Sequence, residues 1–456
     1  MPLEHGPGAS RGSTHNNTVT DPIRLKTSAR AARTYGPSQL PLITAAAPVS
    51  CGVQPAEQYW FGSTANTHEF ALDLDAFVRD ELPRINGAIE AGTATVAELM
   101  AVTRVLVCAL QPALPRLLAN ADRQLAAEIS RRLGFIAASI ERHAQAVKAR
   151  PGDGLLSVAG LTEVLCTWAK AADTSPMLDY DGYWLSNRQA PLTFTGEREE
   201  LVFNELVNRT VDVVTGIMRP LNEMRTGAIA FDVVETVTEL NIQALKLVAL
   251  HEAYRDLGRK TDTGAIIFSP AFFMRMRQYL LSFPIAGVVR EGPNATYSPN
   301  QARIDVALGI TTPNYLDALT IRQAKMTPAH SELMATEMAM PSIAAAAVAI
   351  LDLPSDWPTI TPAEVHRRAH ERGTIFVATM TALKRLARAQ IHLSNVHLGR
   401  ISTHLTKPSA VLSVAQADAM PVKPTGGVGG NDIAHTREVV DMRKTHPVVT
   451  VLLAAF

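Results

Sequence analysis

From Leu72 onward apolar residues recur at intervals of three and four, as in DAFVRDELPRINGAIEAG, TVAELMAVTRVLVCALQPALPRLLANA and RQLAAEISRRLGFIAASIERHAQAV. That period marks amphipathic helices, and strand-type alternation is nearly absent, so the pattern predicts an all-α fold. Breaks rich in Pro, Gly, Asn and Ser fall at residues 149–154, 185–196, 298–300 and 353–358. They predict a mobile arm over residues 1–55, a small helical domain over 56–190 and a larger helical domain over 191–456. Inside the last, the stretch 407–431 contains Thr425-Gly426-Gly427-Val428-Gly429-Gly430. It is too long and too glycine-rich for a connector and reads as a flexible lid.

A chain of 456 residues can bury a sizeable core, and 47% hydrophobic against 19% charged residues excludes a disordered chain. Forty-three Lys and Arg balance 43 Asp and Glu, which removes the long-range field expected of a nucleic-acid or anionic-membrane binder. Neither partner is expected. Cys51, Cys108 and Cys166 are odd in number, widely spaced and without a CxxC pair, so they predict no disulfide framework and no zinc ribbon. The plain apolar run Ile343–Leu351 is far shorter than a bilayer span, and the first residues lack an apolar leader core. These features predict a cytoplasmic protein, with a monomer as the simpler expectation and the oligomeric state otherwise open.

Several motifs lack the context their chemistry needs. Gly8-Ala9-Ser10-Arg11-Gly12 has the GxSxG form, but no strand precedes it and no helix follows. The GGVGG run is neither GxGxxG after a strand nor a P-loop. His366 and His370 share a helix face in HRRAHERG, yet the glutamate of HExxH is missing and the polar neighbours predict a solvated face.

Two constellations carry more. In Val377–Ile401, His392 shares a helix face with Arg388 and Arg385, one and two turns back. An imidazole beside arginines suits an axial haem ligand whose neighbours pair with propionates, although a satisfied surface or core histidine has the same pattern. His397, five positions on, lies about 140° round the helix, so the two histidines face different ways. In Phe268–Leu280, Ser269 and Pro270 read as N-cap and first helical residue. That phase puts Phe273 and Arg277 on one face with Arg275 opposite. A guanidinium there needs an anion, either a bound carboxylate or a protein Asp or Glu.

In order along the chain, Ser269-Pro270-Ala271-Phe272-Phe273 through Arg277, Asp305-Val306-Ala307-Leu308-Gly309-Ile310, Met326-Thr327-Pro328-Ala329-His330, Ile391-His392-Leu393 and Gly427-Val428-Gly429-Gly430-Asn431-Asp432 stand in one register. Together they resemble the indoleamine 2,3-dioxygenase family of haem enzymes over residues 155–445. The resemblance implies an all-helical fold with a small and a large domain, one b-type haem and His392 as the iron ligand, with Arg388 beside it. It implies a dioxygenase (oxidoreductase) that inserts O₂ across the indole C2–C3 bond of tryptophan or a related amine. Arg277 would then bind the substrate carboxylate, Phe272 and Phe273 would pack the indole, and Ser298 would belong to the distal loop. The helix from Gly196 to Asn204 departs from the family's aromatic distal helix and places Glu199 or Glu200 and Phe203 there. A pocket carboxylate would favour a substrate amine. The alternatives are a haem oxygenase of the same fold acting on another aromatic, and a haem-binding sensor without turnover.

Overall fold

The computed structural model describes residues 66–260, 267–293, 298–413, 420 and 433–456. The chain partitions into Met1–Pro48 and Val49–Phe456, and every described residue belongs to the second unit. The expected small and large helical parts therefore lie within one compact unit. The arm 1–55, the GxSxG match, residues 294–297 of the distal loop and the glycine run Thr425–Gly430 lie outside the described residues.

The fold is all-α. Helices α1 (Thr67–Ala76), α2 (Leu82–Glu90), α3 (Val96–Ala119), α4 (Arg123–Ala146), α5 (Asp153–Leu156) and α6 (Leu161–Ala172) come first. The long α7 (Arg198–Arg225) and α8 (Val234–Asp256) lead to α9 (Pro270–Met276), α10 (Asn300–Leu308), α11 (Pro313–Gln323), α12 (Pro328–Ala339) and α13 (Ile343–Ile350). Then follow α14 (Pro362–Glu371), α15 (Thr374–Ile401), α16 (Lys407–Ala410) and α17 (Ile433–Thr445). A hairpin of β1 (Phe283–Ile285) and β2 (Val288–Arg290) interrupts them, with Phe283 opposite Arg290. Its two-residue turn has φ of 52° at Ala286 and 76° at Gly287, the left-handed pair that a tight hairpin demands. Three-residue strands are too short to leave a period in the sequence.

Ser or Thr followed by Pro starts α9, α11, α12 and α14, at Ser269, Thr312, Thr327 and Thr361. In each the hydroxyl accepts from a backbone N–H of the first turn, while the proline occupies a position whose own N–H would have no partner. The Ser269–Pro270 start anticipated from the sequence is one of these.

The central seam is α15 packed along α8, with α7 against α8 and α10. Met380, Leu383, Ala387, Gln390, Ser394 and Ile401 are buried on α15, spaced by three, four, three, four and seven. Burying such a stripe contributes on the order of 1.5–3 kcal/mol for each large side chain.

Two buried ion clusters pin the second half. The Arg225 guanidinium, 0% exposed, donates to Glu337 at 2.5 Å and to the carbonyls of Pro341 and Met340, holding α7 to the end of α12. Arg443 of α17 donates to Asp305 of α10 at 2.6 Å and to Ser394 of α15 at 2.5 Å, and Tyr315 donates to the same carboxylate at 2.8 Å.

Two expectations change. Cys108 is disulfide-bonded, while Cys166 is a free thiol. Val96–Ala119 and Pro328–Ile350 are each long and apolar enough to cross a membrane by length and composition, because such a window tolerates polar residues that break a plain apolar run. In the first, Leu99, Leu106, Leu110 and Leu117 are buried against the rest of the protein.

Asp305→Ala strands the Arg443 guanidinium in the interior and is expected to cost about 3–5 kcal/mol of unfolding free energy. Urea denaturation checks this, and a loss under about 1 kcal/mol would show that α17 is held by other contacts.

Candidate functional site

A cavity of about 240 Å³ lies where α7, α8, α9, α10, α15 and α17 meet. The seam that buries Ser394 and Ile401 also turns His397 inward, since it continues the same spacing of three and four. Its ring keeps some accessible surface because it faces the cavity, yet protein encloses it. Burial, assisted by the Arg443 charge, lowers its pKa to about 4, so the imidazole is neutral near pH 7. Neither of its nitrogens has a hydrogen-bond partner among the described residues, and Tyr254 packs at 5.9 Å, its hydroxyl shared with Thr210.

The other histidines of the cavity are occupied. His404 sets Nδ1 against the Arg400 carbonyl at 3.1 Å and Nε2 against the Phe268 carbonyl at 3.0 Å. His435 meets the Arg322 guanidinium. His397 alone among the described cavity histidines presents an uncommitted lone pair.

The opposite wall is aromatic. Phe203 of α7 stacks on Phe268 at 5.2 Å and meets Phe273 of α9 edge-on at 5.8 Å. Ser298 and Asn300 add polar edges, and the Tyr180 hydroxyl hydrogen-bonds with both, 3.2 Å from the Asn300 amide.

No Asp or Glu lines this cavity among the described residues, whereas Arg322, Arg400 and Arg443 do. Asp305 neutralises Arg443. Arg400 donates to the Arg255 carbonyl at 2.7 Å, its head lying where any side chain at Gly258 would stand. Arg322 and Arg400 have no carboxylate within 4 Å among the described residues. The cavity therefore carries net positive charge beside a neutral imidazole.

The structure redistributes the residues anticipated from sequence. Phe203, Phe273 and Ser298 come together in the cavity. Phe272 is buried beside them, against Phe268 at 5.7 Å and beneath the Arg275 guanidinium at 5.4 Å. His392 does not join them: it is exposed, next to His251 at 4.6 Å and the Arg255 guanidinium at 3.4 Å. Arg388 is likewise exposed, beside a separate recess with Lys384. The arginines sharing the His392 face mark the solvated side of α15, which is why that face misled.

Arg277 is 1% exposed and does not line the cavity; burial lowers its pKa to about 10. Glu199 is a capping group, accepting from the Ser269 N–H at 3.0 Å. Glu200 is fully buried and accepts from the Tyr183 hydroxyl at 2.6 Å and from the Phe194 and Thr195 backbone. Neither supplies the pocket carboxylate expected from the sequence. His366 and His370 sit with Nε2 atoms 2.8 Å apart, away from the cavity.

A wider cleft of about 1350 Å³ is lined by Asp179, Asp181 and Gly182, the chain neighbours of Tyr180. No histidine lines this cleft among the described residues. The chain matches no protein-family model and no curated protein.

Burial raises the Asp179 carboxyl to about 6, against the Gly182 N–H that donates to it at 2.8 Å. Between about pH 4 and 6 the unfolded chain releases this proton while the folded chain keeps it, so stability falls as pH rises through that window. Asp179→Asn is expected to raise stability by about 3 kcal/mol above pH 6 and to leave it unchanged near pH 4. Melting curves at the two pH values check this; an equal change at both would assign the effect to packing.

Proposed function

We propose that the cavity is the haem site of a haem-dependent dioxygenase that inserts O₂ across the indole C2–C3 bond of tryptophan or a related indole. The observation that carries the reading is His397: neutral, enclosed and uncommitted at both nitrogens, on the one face of α15 that looks into an aromatic cavity. The resemblance to the indoleamine 2,3-dioxygenase family supports it, with the iron ligand moved from position 392 to 397.

The donor chemistry suits the group, while the cavity of about 240 Å³ is smaller than a haem, so binding requires its walls to move apart. No three His, Cys, Asp or Glu side chains gather to hold a metal among the described residues. His397 would be the residue to hold a haem iron, since the group carries its remaining nitrogen donors with it. Arg322 and Arg400, without carboxylate partners, offer the cations that two propionates require. When bound, haem supplies the iron and O₂ activation, and the chain supplies orientation and exclusion of water. Phe203, Phe268 and Phe273 provide a flat apolar wall for an aromatic ring. Ser298, Asn300 and the Tyr180 hydroxyl give the polar edge against which a substrate N–H or carbonyl is oriented.

Reconstitution with haemin is expected to give a Soret band in the wild type and in His392→Ala, and a strongly reduced one in His397→Ala. Equal loss in both variants, or loss confined to His392→Ala, would overturn the assignment. Haem-loaded protein with a reductant, O₂ and tryptophan is expected to accumulate a formylkynurenine-type absorbance. Coloured protein silent toward indoles would move the function to another aromatic or to haem sensing.

The Arg400→Gln and Arg322→Gln variants are each expected to weaken haem affinity about 10-fold, since each removes one charge-assisted hydrogen bond to a propionate. Haem transfer to an apo-globin measures this; unchanged transfer would place the propionates elsewhere.

A further inference from the structure

We propose that His366 and His370 of α14 form a surface site for a divalent transition-metal ion of the copper or nickel class. The site stands apart from the haem reading above: neither residue lines the aromatic cavity.

Core packing places the pair. Thr361 caps α14, its hydroxyl accepting from the Glu364 N–H at 3.3 Å, and Pro362 takes the first helical position. Val365 and Ala369, four apart, are both 0% exposed and fix the rotation of the helix. His366 and His370 follow them by one position each, so they emerge together at the edge of the buried stripe, His366 half-buried and His370 exposed. The Phe456 ring packs 5.9 Å from the His366 ring and restricts its rotamer.

The two Nε2 atoms stand 2.8 Å apart, with the rings at 78° to one another. Two imidazoles on one ion, at bonds of about 2.0–2.1 Å, have their nitrogens about 2.9 Å apart at a right angle and about 3.3 Å apart at a tetrahedral one. The observed spacing matches adjacent corners of a square or octahedral centre, the preference of divalent copper and nickel, better than tetrahedral zinc. His366 Nδ1 is buried away from solvent, which leaves Nε2 as the nitrogen of that ring for an incoming ion. With the proton of each neutral ring on Nδ1, both Nε2 lone pairs converge on one point. His366 Nδ1 lacks the carbonyl or carboxylate acceptor that strengthens a metal-bound histidine, which sets the affinity at a modest level.

The surrounding charges permit a cation. His370 lies in the last turn of α14, at the negative end of the helix dipole. Arg367 donates to Glu364 at 2.8 Å and to Glu371, and Arg368 donates to Glu364 at 2.8 Å and to the Asp352 carbonyl, so both are matched by acceptors. Arg372 is exposed, where water and salt screen its repulsion. No group of three His, Cys, Asp or Glu includes the pair among the described residues, so water completes the coordination on the solvent side. Arg367 stands where a HExxH hydrolase has its general base, so the site binds metal without hydrolytic chemistry.

Pulsed EPR of the full chain with one equivalent of Cu²⁺ tests the proposal. The wild type is expected to show two coordinated imidazoles, and His366→Asn and His370→Asn one each, with Cu²⁺ affinity at least about 10-fold lower in calorimetry. His392→Asn, at the other close histidine pair, should change neither readout. Zn²⁺ should bind more weakly than Cu²⁺ and raise the melting temperature less. Two coordinated imidazoles persisting in both α14 variants, or lost in His392→Asn, would overturn the site. Zn²⁺ binding as tight as Cu²⁺ would overturn the right-angle geometry. Should His366→Asn melt at a lower temperature than the wild type, the exposed His370→Asn decides alone.

Discussion

The seam between α15 and α8 sets the rotation of α15 about its own axis, and that rotation decides which histidine meets the interior. Met380, Leu383, Ala387, Gln390, Ser394 and Ile401 keep one stripe buried over more than five turns. His397 falls on the stripe, and His392 falls off it. Turning His392 inward would rotate the whole stripe toward water, at a cost far beyond what one ligand bond at one position returns. The face that looks into the cavity is thus a consequence of core packing.

The ion pair between Asp305 and Arg443 works on the same wall. It brings α10, α15 and α17 to one point, with Tyr315 and Ser394 completing the hydrogen bonds of both charges. Because Asp305 spends its charge on Arg443, it does not neutralise Arg322 or Arg400. Burial first, and the nearby Arg443 charge second, keep the His397 ring neutral.

Much of this was legible in the chain. The helical class, the Ser269–Pro270 start of α9 and the aromatic pair Phe203 and Phe273 all follow from local period and capping chemistry, which short segments encode. His397 was also within reach: its spacing of three and four from Gln390, Ser394 and Ile401 is visible in the sequence. It was passed over because the arginines near His392 were read as haem partners when they mark the outer face. Arg322, Arg400 and Tyr180 were not legible, since each matters through a neighbour distant in the chain. The hydrogen bonds of Glu199 and Glu200 depend on Ser269, Tyr183 and Phe194, which no local pattern links to them.

The identity of the axial ligand is the central claim, and chemical rescue tests it most directly. Resonance Raman spectra of the ferrous, haem-loaded protein are expected to show an iron–histidine stretch that disappears in His397→Gly and returns as an iron–imidazole stretch when free imidazole is added. The stretch should survive in His392→Gly. Its persistence in His397→Gly, or its loss in His392→Gly with rescue by imidazole, would contradict the account.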